Sequence, residues 1–251
     1  MLAISSVSKS FGGNHVIHDT SMEFANGSLS AIIGPNGAGK TTLFNLICGT
    51  IAPNSGSIRL DGQDVTGLAP RQVARMGLAR AFQIASLFPT FSTYECFAAA
   101  GSPSRLGVRG LISGFPSAEG RRRAGEIIEM LGLEAVASTP VSQLSHGDQK
   151  MVDIGMALCA NPKVLLLDEP TAGMGPEERW HMVTTVQELW KTMGLTIVFI
   201  EHDMDIVFSI AERVTVLSYG SILAEGHPKD VRSNPEVIKA YLGSYAKAEA
   251  T

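Results

Sequence analysis

Apolar residues fall along this chain in short runs with two different rhythms. Leu2 to Val7 and Val16 to Phe24 are short β-favouring runs closed by turn pairs at Gly12-Gly13 and Asn26-Gly27, which predicts a small antiparallel layer. Leu29 to Ile33 is a near-continuous apolar run, followed by a glycine-rich turn and a helical pattern from Lys40 to about Cys48. Val164 to Leu167 and Thr196 to Ile200 are two further branched-rich runs, each ending in acidic or histidine residues and each followed by a helical pattern. Short buried strands alternating with helices predict an α/β fold with a mostly parallel sheet, whose functional loops gather at the carboxyl ends of the strands. Residues 86–160 read as mainly helical, with loops around Gly101 to Pro116, and are expected to form a second lobe on a core built from 1–85 and 161–251. No internal repeat interrupts this plan, and the small polar tail from Ser244 to Thr251 is expected to fray.

Composition narrows the classes. With 251 residues, 45% of them hydrophobic and 18% charged, the chain can bury a sizeable core and is not disordered by composition. A net charge of -4 and a pI near 5.9 argue against a protein that binds nucleic acid mainly through the phosphate backbone. The one basic run, Arg121 to Arg123, reads as a solvated helix face. Cys48, Cys96 and Cys159 lack metal-type spacing and sit among apolar residues, so neither a disulfide framework nor a zinc site is expected, in keeping with a reducing cytoplasm. No leader-like start and no run of about 18 apolar residues is present, so any membrane role is expected to come from docking.

The chemistry is concentrated in three places. Gly34, Pro35, Asn36, Gly37, Ala38, Gly39, Lys40 and Thr41, followed by Thr42, fit the phosphate-binding loop pattern between a strand and a helix. Glycines let successive backbone N–H groups point inward, a helix N-terminus adds positive potential, Lys40 can reach β and γ phosphates, and Thr41 can ligate magnesium. A second apolar strand ends in Asp168 and Glu169, which places Asp168 as a water-mediated magnesium ligand and Glu169 as the general base that polarises an attacking water. Catalysis by such a set is positioning and charge neutralisation rather than covalent chemistry.

Many phosphate-loop ATPases share those two features, and a kinase or GTPase would share the first, although no guanine-selecting Asn-Lys-x-Asp segment is present. The segment Leu144-Ser-His-Gly-Asp-Gln149, ending 19 residues ahead of Asp168, is more specific. It resembles the signature of the ATP-binding cassette (ABC) ATPases, and the order of phosphate loop, Gln83, signature, Asp168-Glu169 and His202 is that family's order. The resemblance implies a phosphate-loop core with a helical lobe, ATP and Mg2+ as ligands, and a dimer in which Ser145 and Gly147 of one subunit close over ATP held by the other. It also implies a sensing role for Gln83 toward magnesium and the γ phosphate, a switch role for His202, and adenine stacking for Phe11, which could otherwise be a packed strand aromatic.

Two positions depart from the family pattern. His146 stands where the signature usually has glycine, with Asp148 extending the motif, and Gly175 stands where the D-loop aspartate is common. The latter is compatible with a heterodimer whose partner makes up for that aspartate.

Over nearly its whole length the chain resembles the first of two ATPases in bacterial branched-chain amino-acid importers, the hydrophobic amino-acid uptake group that includes urea and amide systems. Gly77 to Arg80, Phe82-Gln83, Leu87 to Pro89, Ala172 to Met174, Glu201 to Met204, Leu223 to Gly226, Asn234-Pro235 and Tyr241 to Gly243 carry this likeness. It implies a second ATPase, two membrane permeases and, in a Gram-negative setting, a periplasmic binding protein that selects the solute, with this chain peripheral on the inner face of the cell membrane and no nucleic acid involved. By analogy, 85–97 would help receive a permease's cytoplasmic helix, with Leu87, Phe88 and Phe91 either docking residues or lobe core. A lipopolysaccharide exporter ATPase and a non-transport ABC protein are the alternatives; the latter usually carries coiled-coil insertions or tandem cassettes.

Overall fold

The computed structural model describes residues 1–81, 88–102 and 116–248, with side chains described as far as Tyr241. The alternating and continuous apolar patterns resolve into two sheets. The first is antiparallel, with order β2-β1-β4-β5, built from β1 (Leu2–Phe11), β2 (Asn14–Phe24), β4 (Ser55–Leu60) and β5 (Gln63–Asp64). The expected hairpin is there, and β4 completes the layer by pairing Leu2 with Leu60 and Ile4 with Ile58. The second sheet has six strands in the order β10-β9-β3-β8-β7-β6: β3 (Leu29–Ile33), β6 (Leu78–Ala81), β7 (Val164–Asp168), β8 (Thr196–Ile200), β9 (Arg213–Ser218) and β10 (Ser221–Gly226). All neighbours in it are parallel except the β9–β10 pair.

The continuous apolar runs are explained by burial on both faces of this sheet. Leu165 and Leu167 of β7, with Ile197 and Phe199 of β8, face one core, shared with helices α5 (His146–Cys159) and α6 (Pro176–Met193). Leu166, Val198 and Ile200 face the other, shared with the antiparallel layer and helix α1 (Lys40–Ile47). A strand whose successive side chains enter different cores cannot alternate apolar with polar residues. The remaining helices are α2 (Pro70–Arg75), α3 (Thr93–Ala100), α4 (Ala118–Leu131), α7 (Met204–Ile210), α8 (Pro228–Arg232) and α9 (Pro235–Ala248).

Helices α3, α4 and α5 pack against one another. Ser92 caps α3 by accepting from Glu95 N while Glu95 reaches back to Ser92 N, and Ser117 caps α4, satisfying amides that a helix start otherwise leaves unpaired. The basic run on α4 is only partly a solvated face. Arg121 and Arg122 are exposed, but Arg123 turns inward and donates to Leu158 O at 3.1 Å, at the end of α5. That bond ties two helices of the segment together, and a charge-run reading does not reveal it because the acceptor is 35 residues away. The three cysteines are buried free thiols. Among the described residues no helix is long and apolar enough to cross a membrane.

Candidate functional site

Strand order places the chemistry. β3 lies between β9 and β8, and β7 is next to β8, so the carboxyl ends of β3, β7 and β8 bring Gly34–Lys40, Asp168-Glu169 and Glu201-His202 to one edge of the sheet. Gly39, the N-cap of α1, has φ 102°, and a Cβ there would stand 2.7 Å from Ile17 Cδ1 and 2.9 Å from Val16 O. Only glycine allows the loop to turn this close beneath β2. The loop therefore presents backbone amides at a helix N-terminus, a geometry suited to an anion.

Lys40 is buried and crosses the loop, its Nζ donating to Gly34 O at 2.7 Å and Pro35 O at 3.1 Å. Burial pulls its pKa below the ordinary lysine value, and the nearby carboxylates of Glu169 and Asp168 oppose that fall. Thr41 is exposed and Thr42 half-buried in the first turn of α1, and Asn36 and Gly37 are exposed at the loop crest. Phe11 ends β1 at the tip of the hairpin whose other strand covers the loop; its ring is 48% exposed, with Lys9 Nζ 5.2 Å from its centre. It is thus an open aromatic face rather than a packed strand residue.

Glu169 adopts φ 49°, a left-handed conformation costly for a side-chain-bearing residue, and its N–H donates to Ile200 O at 3.0 Å. This turn carries its carboxylate to His202, with Oε1 at 2.8 Å from Nε2. Both side chains are partly open to solvent, so a water molecule has access to the pair. The sequence identifies both residues but not the group that holds them in register. Glu201 is buried at 4% exposure and accepts three hydrogen bonds, from Thr171 N (2.9 Å), Thr171 Oγ1 (2.6 Å) and the His202 N–H (3.0 Å).

Asp168 is likewise held. Its Oδ2 accepts from Arg80 Nη2 at 2.5 Å, and Arg80 Nη1 donates to Asn45 Oδ1 at 2.7 Å. In the sequence Arg80 figures only as part of a family likeness; a basic residue inside the short apolar run Leu78–Ala81 is the signal that could have found it.

The signature segment opens α5 as expected. Ser145 is its exposed N-cap; the hydroxyl accepts from Asp148 N at 3.1 Å and donates to Asp148 Oδ2 at 2.8 Å. Gly147 lies in the first turn, and Gln149 closes the preceding loop by donating to Val141 O and Leu144 O. His146 Nε2 lies 3.2 Å from Ala172 O, and Lys150 Nζ donates to Glu169 O at 3.4 Å. The signature helix is therefore fastened to the turn after β7 of its own chain. Gly175 is the N-cap of α6, its N–H donating to Glu178 Oε2 at 3.2 Å, a helix-start duty that needs no side chain. Gln83 and Leu87 lie outside the described residues. Phe88 and Phe91 are 43% and 37% exposed, with ring centres 5.2 Å apart, so they are not lobe core.

The described residues contain no cluster of three or more His, Cys, Asp or Glu side chains that could by itself hold a metal ion. The oxygen donors at the site, the Thr41 hydroxyl and the Asp168 carboxylate, suit a hard divalent cation that takes its other ligands from phosphate and water.

Comparisons with known proteins give the family. Residues 17–172 match the family described as ABC transporter, and residues 221–247 match the family described as branched-chain amino acid ATP-binding cassette transporter. The chain is 37% identical, over 97% of its length and 98% of the relative's, to the high-affinity branched-chain amino acid transport ATP-binding protein LivG of Escherichia coli. It is 34% identical, over the same shares of the two chains, to the corresponding protein BraF of Pseudomonas aeruginosa. A nucleotide-free ATP-binding cassette from an ABC transporter superposes with a TM-score of 0.86 at 31% identity, covering 96% of this chain and 98% of the other. An ADP conformation of such a cassette gives 0.85 at 30%, covering 97% and 98%. The chain belongs to the ATP-binding subunits of ABC transporters.

Proposed function

We propose that this chain is the ATP-hydrolysing motor of a bacterial importer for branched-chain or related hydrophobic amino acids. The observation that carries the solute class is the C-terminal match at 221–247, in a chain whose full length aligns with ATPases of that transport class. The geometry supports the chemistry. The amides of Gly34 to Thr42 and the Lys40 ammonium bind and orient the phosphates, and Phe11 offers its open face to adenine. Thr41 and Asp168 would hold Mg2+, which when bound neutralises charge on the β and γ phosphates. Glu169 Oε1 accepts the proton of an attacking water, and His202 keeps that water in line with the γ phosphate. Gln83 would join the metal and γ phosphate from the segment between β6 and Phe88.

Ser145 and Gly147 complete the site across a dimer, and the exposed Ser145 with the half-buried Gly147 at the start of α5 supports that reading. The partner is a second ABC ATPase, with a heterodimer favoured by Gly175; two membrane permeases and, in a Gram-negative cell, a periplasmic binding protein complete the assembly. The chain would then sit on the inner face of the cell membrane. The exposed pair Phe88 and Phe91 is the surface on which a permease helix would dock. Uptake of labelled leucine and urea in source cells carrying wild-type or Glu169→Gln protein tests the assignment. Loss of leucine uptake alone is expected. Intact leucine uptake would overturn it, and loss of urea uptake instead would move the chain to the urea systems.

A further inference from the structure

Three chain segments meet at Arg80: β6, α1 and β7. It lies at the carboxyl end of β6, paired in register with Leu166 of β7, and its side chain is 8% exposed. One arm of the guanidinium donates to Asn45 in α1, the helix that begins with Lys40, and the other to Asp168. The same group lies 5.7 Å from the centre of the Phe44 ring, also in α1. Two residues further along the chain begins the segment that contains Gln83.

A planar fork bound at both arms and backed by an aromatic face has little rotational freedom, and only arginine supplies that geometry. Its effect on Asp168 is asymmetric. Oδ2 is occupied by Nη2, whereas Oδ1 accepts no hydrogen bond among the described residues. A carboxylate anchored through one oxygen presents the other in a fixed direction, as do the outer partners of metal-binding carboxylates in general.

We propose that Arg80 is a positioning residue for the metal-bearing state of the site: it fixes Asp168 through Oδ2 so that Oδ1 faces the Mg2+ shell. Because its second arm rests on α1, the metal-binding carboxylate and the phosphate loop are held at one spacing by a single side chain. This rests on the proposed Mg-ATP reading and adds to it a residue that touches neither nucleotide nor metal.

The test uses the purified full chain and the fluorescent analogue mant-ATP, with affinity measured in excess Mg2+ and again in EDTA. In wild type, Mg2+ is expected to tighten binding. Arg80→Lys keeps the charge and loses the fork, and is expected to forfeit about tenfold of the affinity in Mg2+ while staying within about twofold of wild type in EDTA. Asn45→Ala frees one arm and is expected to shift affinity in the same direction by a smaller factor, so the inference is still testable if Arg80→Lys does not fold. Equal losses in Mg2+ and EDTA would make Arg80 merely structural and overturn the proposal, as would unchanged affinity in both variants. Failure of wild type to bind mant-ATP under either condition would instead overturn the nucleotide reading itself.

Discussion

Replacing Glu201 by glutamine separates the fold from the chemistry it supports. The side chain keeps its shape, but the amide has one acceptor oxygen where the carboxylate had two. Thr171 N and Oγ1 bind one oxygen and His202 N the other. Whichever way the amide is turned, one backbone N–H faces an NH2 group and loses its partner in a site that is 4% exposed. An unsatisfied buried donor costs about 1–3 kcal/mol, and the loss of charge from the remaining bonds brings the total to roughly 2–4 kcal/mol. For a chain of this size each kcal/mol lowers the melting temperature by about 2–4 °C, so a fall of roughly 5–10 °C is expected by calorimetry or fluorescence. The freed N–H belongs to His202, or to the residue two positions after Glu169, so hydrolysis should fall by more than ATP affinity does. A shift below about 2 °C with normal turnover would refute the claim that Glu201 ties the two catalytic strands together.

Other perturbations test other parts. Gly173 has φ 80° and its missing Cβ would stand 3.1 Å from His146 Nε2; Gly173→Ala should cost about 1–2 kcal/mol in backbone strain, and adding His146→Gly should recover only the steric share, so fully additive melting shifts would contradict the contact. Lys40→Met removes a buried ammonium that donates to Gly34 O and Pro35 O and that is proposed to bind the β and γ phosphates, so ATP affinity should fall roughly a hundredfold at least; a mant-ATP affinity near wild type would remove Lys40 from the phosphate site. Phe91→Asp should uncouple transport while sparing basal hydrolysis, and unchanged uptake would count against the docking surface. Burial pushes the thiol pKa values up, to about 11 at Cys48 and Cys96 and about 12 at Cys159. At pH 8 a thiol reagent should therefore modify none of the three in the folded protein and all three in denaturant; rapid labelling without denaturant would contradict their burial.

Much of this is legible in the sequence because the decisive features are local. A glycine turn between a strand and a helix, or an apolar run ending in Asp168-Glu169, carries its geometry in consecutive residues. The strands Leu29–Ile33 and Thr196–Ile200 can be read residue for residue because continuous apolar runs mark strands buried on both faces. Strands β4, β5, β6, β9 and β10 cannot be read in the same way, since β4 alternates weakly and exists through its pairing with β1, far away in the chain. The site residues that escape sequence reading share that property. Arg80 reaches Asp168 across 88 positions and Glu201 reaches Thr171 across 30, and no local pattern announces either pair. Arg123 escapes it for the same reason, as a basic run looks solvated until its acceptor is located.

Hydrolysis by the purified chain decides whether Glu169 is the general base. Wild type and Glu169→Gln should bind mant-ATP with similar affinity in Mg2+, while Glu169→Gln hydrolyses ATP at least about a hundredfold more slowly. Near-normal turnover by Glu169→Gln would show that the carboxylate placed 2.8 Å from His202 is not the base for hydrolysis.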